Sequence, residues 1–209
     1  MPGFRPALVA ATLAFASAAA TCAPATYTIV SKLSRVTFNI EHQGFISLFG
    51  TLRIAPGSFV FDPDDWSKST VAVSLPIRSL DMGDARWNEQ IRDDEEWAKL
   101  FKSPAIGFRS TRLERADATH GTMAGELSLA GVTRPVTLQL RFNKIGKNEV
   151  SEHPSVGFSA TTTLKRSQFG LDAYSDLVGD EIAVQIQMEA AVGPDTDAQS
   201  DQTALGVRR

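Results

Sequence analysis

One cysteine stands among the 209 residues, so no internal disulfide can staple the fold and its core must hold by burial alone. Histidine is scarce as well. His42, His120 and His153 lie far apart, and no H-x-H, H-E-x-x-H or second cysteine completes a metal-ligand set. A glycine-rich phosphate loop, a dinucleotide fingerprint and a G-x-S-x-G elbow are all missing, which leaves no motif for nucleotide binding or for hydrolysis by an activated serine. Lys and Arg number 21 against 24 Asp and Glu, for a formal charge of -3, and no basic cluster occurs. That disfavours a nucleic-acid partner. Runs of adjacent acids, Asp64-Asp65 and Asp93-Asp94-Glu95-Glu96, read as solvated turns or faces, because side chains adjacent in sequence do not converge on one substrate.

Beyond the first twenty residues no apolar run approaches the roughly 20 residues a spanning helix needs. Those first residues, MPGFRPALVAATLAFASAAA, carry an arginine, a stretch of Ala, Leu, Val and Phe, and then small side chains. They read as a secretory signal peptide over residues 1–20, cleaved after Ala18, Ala19 and Ala20, with a mature start near Thr21. Export by this route implies a periplasmic or secreted protein. Cys22 would then stand almost at the mature terminus, and simple cleavage is favoured there over lipidation of the thiol.

Hydrophobic residues make up 43% and charged residues 22%, ordinary proportions for a chain that buries a core. The apolar residues are arranged with a period near two. YTIV, VTFNIEH, STVAVSLPI, AIGFRSTRL, GTMAGELSL, PVTLQLRF, VGFSATTTL and EIAVQIQMEAAV all alternate, and residues 45–54 and 58–61 add two more candidates. Turn signals separate them, as at Asp62-Pro63-Asp64 and Gly179-Asp180. This predicts an all-β protein, an antiparallel sandwich or barrel.

One stretch departs from the pattern. Residues 84–101, DARWNEQIRDDEEWAKLF, repeat large apolar side chains at spacing four, Trp87 with Ile91 and Trp97 with Phe101, and predict one helix or two short ones. The polar tail, residues 193–209, has no periodicity and is expected to be disordered. No linker divides the strands, so a single domain is expected over residues 21–192.

Two of the alternating runs flank a turn in ELSLAGVTRPVTLQLRF, where Val136, Leu138, Leu140 and Phe142 share one face and Thr137, Gln139 and Arg141 the other. The polar face meets water. The apolar face meets either a packed core or a carried ligand, and alternation alone leaves both open. His42 continues the apolar face of Val36, Phe38 and Ile40, where it could meet a polar head group at a barrel mouth; tying a loop to the strand is the favoured reading.

In blocks and order the chain resembles the YceI-like, polyisoprenoid-binding family of bacterial proteins, from about Tyr27 to Val192. VTFNIEHQGFISLFGTL is similar to that family's opening strand, histidine and paired glycines. FDPDDWSKSTVAVSLPIRSLDMGDARWNEQIR is similar to its Asp-Pro turn, strand and short acidic helix, and KSPAIGFRST, GELSLAGVTRPVTL, GFSATTTLKRSQFGL and GDEIAVQIQMEA follow in family order. The bulky Leu48-Phe49 and the pair Glu96-Trp97 depart from the pattern.

The resemblance implies a lipocalin-like antiparallel β-barrel of about eight strands, a number that leaves room for one small ligand inside. It further implies an apolar tunnel that carries a polyisoprenoid, such as a prenyl quinone. Phe38, Ile40, His42, Trp87, Ile91, Phe108, Leu138, Leu140, Phe142 and Phe158 are the residues expected to line it. No metal, cofactor or catalytic residue is implied. Three other readings stand beside this one: a quinone-using enzyme with His42 or Tyr174 moving protons, a filled barrel acting through its surface in envelope stress, and a binder of fatty acids or amides. Pairing of two chains and transient contact with a membrane stay open.

Overall fold

The computed structural model describes residues 24–193. The expected signal peptide, its cleavage point, Cys22 and all of the tail beyond Gly193 lie outside the described residues. What is described is a lipocalin-like antiparallel barrel.

Ten strands form one sheet: β1 (Ala25–Ile29), β2 (Arg35–His42), β3 (Ile46–Arg53), β4 (Ser58–Phe61), β5 (Ala72–Pro76), β6 (Ala105–Arg115), β7 (His120–Leu129), β8 (Val132–Lys147), β9 (Pro154–Lys165) and β10 (Val178–Ala191). Eight of them run round the wall in the order β3-β2-β10-β9-β8-β7-β6-β5. β1 and β4 lie off this path, β1 pairing with both β10 and β4. Each of the ten corresponds to an alternating run in the sequence, because a strand packed on one face needs an apolar residue at every second position.

Register converts alternation into an inner surface. Val36, Phe38 and Ile40 of β2 stand opposite Ile186, Val184 and Ile182 of β10 on one side and Leu52, Gly50 and Leu48 of β3 on the other. A slip of one residue would turn this whole set to water, so burial pins the pairing.

The path ends meet along a narrow seam. Thr51 and Asp81 exchange backbone hydrogen bonds of 2.8 and 3.0 Å, and the Ala55 amide donates to the Ser74 carbonyl at 2.9 Å. At one end a second route closes the circle: β1 pairs with β4, Val60 bridges to Thr70, and the Ser110 amide donates to the Val71 carbonyl at 2.8 Å.

That end is filled with rings. Phe61 contacts Trp66, Phe142 and Phe158 at centroid distances of 6.1, 5.5 and 4.9 Å, with Tyr27 and Phe59 packed behind. Trp66 is delivered by a loop held from within. The buried Asp62 carboxylate accepts from the amides of Asp64 (3.0 Å) and Asp65 (2.9 Å), while its own amide donates to the Ser69 hydroxyl at 2.9 Å. Satisfying a buried carboxylate this way avoids the cost of stranding it. The Trp66 ring lies across Gly121, where a Cβ would sit 2.6 Å from its Cζ3.

The helical stretch splits in two. α1 (Ala85–Asp93) is capped by Asp84, whose carboxylate accepts from the Trp87 amide at 2.8 Å, and Asp94 then leaves helical geometry and caps the short 3-10 turn Glu95–Trp97. No residue of α1 is fully buried. The segment therefore lies on the barrel and not within it.

Trp66 is only 2% exposed in the ring cluster, so Trp66→Ala should cost about 3–5 kcal/mol of stability. Urea unfolding followed by far-UV circular dichroism measures it; a loss below about 1 kcal/mol would show that the cluster does not hold this end closed.

Candidate functional site

The inner faces do not meet. Between them lies a cavity of about 830 Å³, bounded by inward residues of the barrel strands and by the helical segment. A cavity of roughly 150 Å³ accommodates one benzene ring, so this one has room for an extended chain. All of its lining residues are apolar except His42, Gln90, Asp93, Asp94, Thr162, Arg166 and Tyr174.

Glycines keep it open. The ring of Phe38 lies over Gly50 of β3, and a Cβ there would also come within 2.7 Å of the Met82 sulfur. Phe108 lies over Gly125 of β7 in the same way, its Cζ only 2.5 Å from where a Cβ would stand. Each ring occupies the place of a missing side chain and so lies back against the wall. The lumen is widened by that much.

Nine of the ten residues expected from the sequence stand on this wall: Phe38, Ile40, His42, Trp87, Ile91, Phe108, Leu138, Leu140 and Phe158. Phe142 does not. It keeps the inward parity of Val136, Leu138 and Leu140 but lies further along β8, enclosed by Phe61, Phe158 and Trp66 at 5.5, 5.7 and 6.2 Å. Its place is in the ring cluster that closes the barrel end. Parity tells inside from outside and says nothing of depth.

Six of the seven polar wall residues gather at the opposite end. His42 ends β2 opposite Val178, the Gln43 amide donates to the Leu177 carbonyl at 2.9 Å, and the Tyr174 hydroxyl donates to Asp94 at 2.7 Å. Thr162 is the exception, and its hydroxyl is spent on the Thr137 carbonyl at 3.0 Å. The cavity thus has an apolar interior and one polar mouth.

Arg166 organises that mouth. It is 3% exposed and donates from Nε to the Gly179 carbonyl (2.8 Å), from Nη1 to those of Leu171 (2.6 Å) and Ala173 (2.7 Å), and from Nη2 to that of Val178 (2.7 Å). Four charge-assisted bonds to backbone hold the loop between β9 and β10 in one shape. The guanidinium also lies over the Trp97 ring at 5.9 Å. Nothing in the sequence distinguishes this arginine from the neighbouring surface Lys165, since its partners are backbone carbonyls brought together by the fold.

The helical segment is fastened across the mouth on both sides. Trp97 packs against Tyr174 at 6.2 Å and the Lys99 ammonium donates to the Gly170 carbonyl at 3.1 Å. Opposite, the Asn88 amide donates to the Asp81 carboxylate at 2.8 Å and its carbonyl accepts from the Met82 amide at 2.8 Å. The Asn88 bond, with a further one from the Gly83 amide, holds the Asp81 carboxyl below its ordinary range. Hydrogen bonding to Asp94 pushes the Tyr174 phenol above its own, because the phenolate would lose that bond and face a second negative charge. From beneath this cover Trp87, Ile91, Trp97 and Leu100 reach the cavity. Trp97 and Leu100 were not among the expected residues; the spacing-four signal that found Trp87 and Ile91 also held Trp97, whose role between core and ligand contact only the fold decides.

Among the described residues no group of three or more His, Cys, Asp or Glu is placed to hold a metal. His42 is half-buried, with its Nε2 3.5 Å from the Gln43 amide nitrogen, at the limit of a hydrogen bond. His120, by contrast, pairs with Asp117 at 3.1 Å in an exposed turn between β6 and β7.

Similar folds are known. BcnA of Burkholderia cenocepacia superposes with a TM-score of 0.65 at 20% identity over 78% of this chain and 98% of that one. A polyisoprenoid binding domain from Saccharophagus degradans gives 0.58 at 11% identity over 80% and 98%. In sequence, the UPF0312 protein of Azotobacter vinelandii is 33% identical over 154 residues, 74% of this chain and 79% of that protein. The corresponding protein of Ectopseudomonas mendocina is 32% identical over 136 residues, 65% and 70% of the two chains. The YceI-like domain matches residues 27–190, nearly the whole described barrel, and the chain belongs to the YceI-like family.

Proposed function

We propose that the protein encloses a polyisoprenoid lipid, such as a prenyl quinone, or a similar long-chain amphiphile, and carries or sequesters it in the periplasm without chemistry on it. The cavity carries this reading: about 830 Å³ of apolar space, closed by rings at one end and polar at the other. A chain with its tail inward and its head at the mouth matches that polarity. Each 100 Å² of apolar ligand surface taken from water contributes about 2.5 kcal/mol, which needs no charged anchor. The domain from Saccharophagus degradans, named for polyisoprenoid binding, supports the same ligand class. The leader-like residues 1–20 support the compartment.

A filled barrel acting only through its surface fits poorly with so large an apolar void, because protein interiors seldom leave space larger than a water molecule. A fatty acid or amide remains the second ligand class, since aliphatic walls distinguish chains by length and width more than by type.

Native mass spectrometry of the mature protein, purified from a bacterial periplasm without detergent, followed by solvent extraction, tests the proposal. A stoichiometric prenylated or long-chain species is the expected result. An apo mass, with neither added prenyl quinone nor fatty acid retained, would overturn it.

Two substitutions probe the wall. Gly50→Ala drives the Phe38 ring into the lumen, so it should lower retention of the longest ligands and cost about 1–3 kcal/mol of stability, measured by extraction and urea unfolding. His42→Ala should change stability by less than about 1 kcal/mol and leave retention of the apolar chain intact, because its one side-chain hydrogen bond is marginal. Loss of a measurable quinone turnover with ligand still bound would instead give His42 a proton-transfer role.

A further inference from the structure

The mouth is bordered by exposed apolar side chains. Phe45 is 83% exposed, Ile46 59% and Phe49 67%, all on the hairpin that joins β2 to β3. Across the opening, Leu177 and Tyr174 are 39% and 40% exposed, and the Gln43 amide joins the hairpin to that side through the Leu177 carbonyl. Leu48, between Ile46 and Phe49 in sequence, points inward and lines the cavity. One short strand therefore presents apolar groups to both the ligand space and the outside.

The hairpin is built to project. Gln43 and Gly44 have φ of 53° and 71°, and the Phe45 amide donates to the His42 carbonyl at 3.1 Å, the geometry of a tight two-residue turn whose twist matches the strands. Among the described residues its outer edge has no sheet partner until Thr51, where the seam begins.

Charge separates the hairpin from the exposed Leu33 and Val150. No charged residue occurs from Gln43 through Leu52. At the far end, by contrast, Leu33 follows Lys32, and Val150 follows Glu149 in a turn bridged by Lys147 and Glu152. The projecting side chains themselves carry no charge, the nearest carboxylate being that of Glu41, which accepts from the Gly44 amide behind them, and the affinity of such a tip for the headgroup boundary grows with the apolar area it buries.

We infer that Phe45, Ile46 and Phe49 form a docking tip that inserts into the surface of a phospholipid bilayer, bringing the cavity mouth against the membrane. A long apolar ligand then passes from bilayer to cavity without crossing water. The tip carries no lysine or arginine, and Asp93, Asp94, Glu95 and Glu96 stand on the segment that covers the mouth. Attachment therefore depends on apolar contact and not on anionic lipid. This inference rests on the carrier reading above.

The test uses the full mature protein and the double variant Phe45→Ser/Phe49→Ser, whose replaced side chains are exposed and do not line the cavity. Flotation with phosphatidylcholine vesicles measures docking. Movement of a prenylated quinone between donor and acceptor vesicles of the same lipid measures transfer, and solvent extraction measures how much quinone each protein retains. The wild-type protein should float equally at low and high salt, with no gain from added phosphatidylglycerol. In the double variant, partitioning and transfer should both fall at least tenfold while retained quinone per protein is unchanged.

Equal flotation and transfer by the two proteins would overturn the docking tip and leave the carrier reading standing, since retention is measured separately. Binding that appears only with phosphatidylglycerol and vanishes in salt would also overturn it. So would a wild-type dimer in analytical ultracentrifugation that the double variant loses without change in flotation, because the patch would then join two copies of this chain. Absence of retained quinone in both proteins would overturn the carrier reading and this inference together.

Discussion

Backbone closure is the constraint on which everything else depends. A sheet wound into a barrel presents alternate side chains to a shared interior, and with eight strands in the wall that interior is of a size that side chains can fill or that can hold one small ligand. Two outcomes are open to such a chain: larger side chains can meet in the middle, or a space can remain. Both occur in this molecule, at opposite ends. Tyr27, Phe59, Phe61, Trp66, Phe142 and Phe158 fill one end with rings, whereas further along the strands Phe38 and Phe108 lie back over Gly50 and Gly125.

The two ends also differ in what they spend on polar groups. In the closed end a buried carboxylate, Asp62, accepts through Oδ1 from two amides of its own turn. At the mouth, Arg166 satisfies carbonyls of the loop that follows β9 and so exchanges a water-exposed rim for a rigid one. The helical segment is attached to that rim by single side-chain bonds and ring contacts, with none of its α1 residues fully buried. Local stability follows such differences, and a segment held by few buried contacts opens at lower cost than the strands beneath it. On the proposed function, the place where a chain-like ligand enters is therefore also a place the fold holds less tightly than the strands.

Much of this was legible in the sequence because strand periodicity is a local property. Alternation located all ten strands and told which residues of β2 and β8 face inward, and spacing four located Trp87 and Ile91. What alternation does not encode is position along the barrel axis. Phe142 and Phe158 share the inward parity and are ring neighbours, yet one borders the cavity and the other does not. Arg166 was invisible for a different reason: its four acceptors are backbone atoms, which every sequence contains, and they converge only after β9 and β10 pair. The seam at Thr51 and Asp81 likewise joins segments whose sequences carry no pairing signal.

The same asymmetry bears on selectivity. Along the apolar interior, Thr162 is the one hydrogen-bonding side chain, and Thr137 already uses it. A ligand tail gains there by area alone, so chains of different chemistry but equal length and width gain alike. Discrimination between heads must arise where donors and acceptors are concentrated, around His42, Gln90, Asp93, Asp94, Arg166 and Tyr174. Most donors of Arg166 and the Tyr174 hydroxyl are committed to the protein, so a head group placed among them competes with bonds that shape the mouth. On the proposed function, a barrel built this way would grade its ligands first by the length its ring-closed end allows. Only then would it grade them by what their heads can offer a rim already largely satisfied.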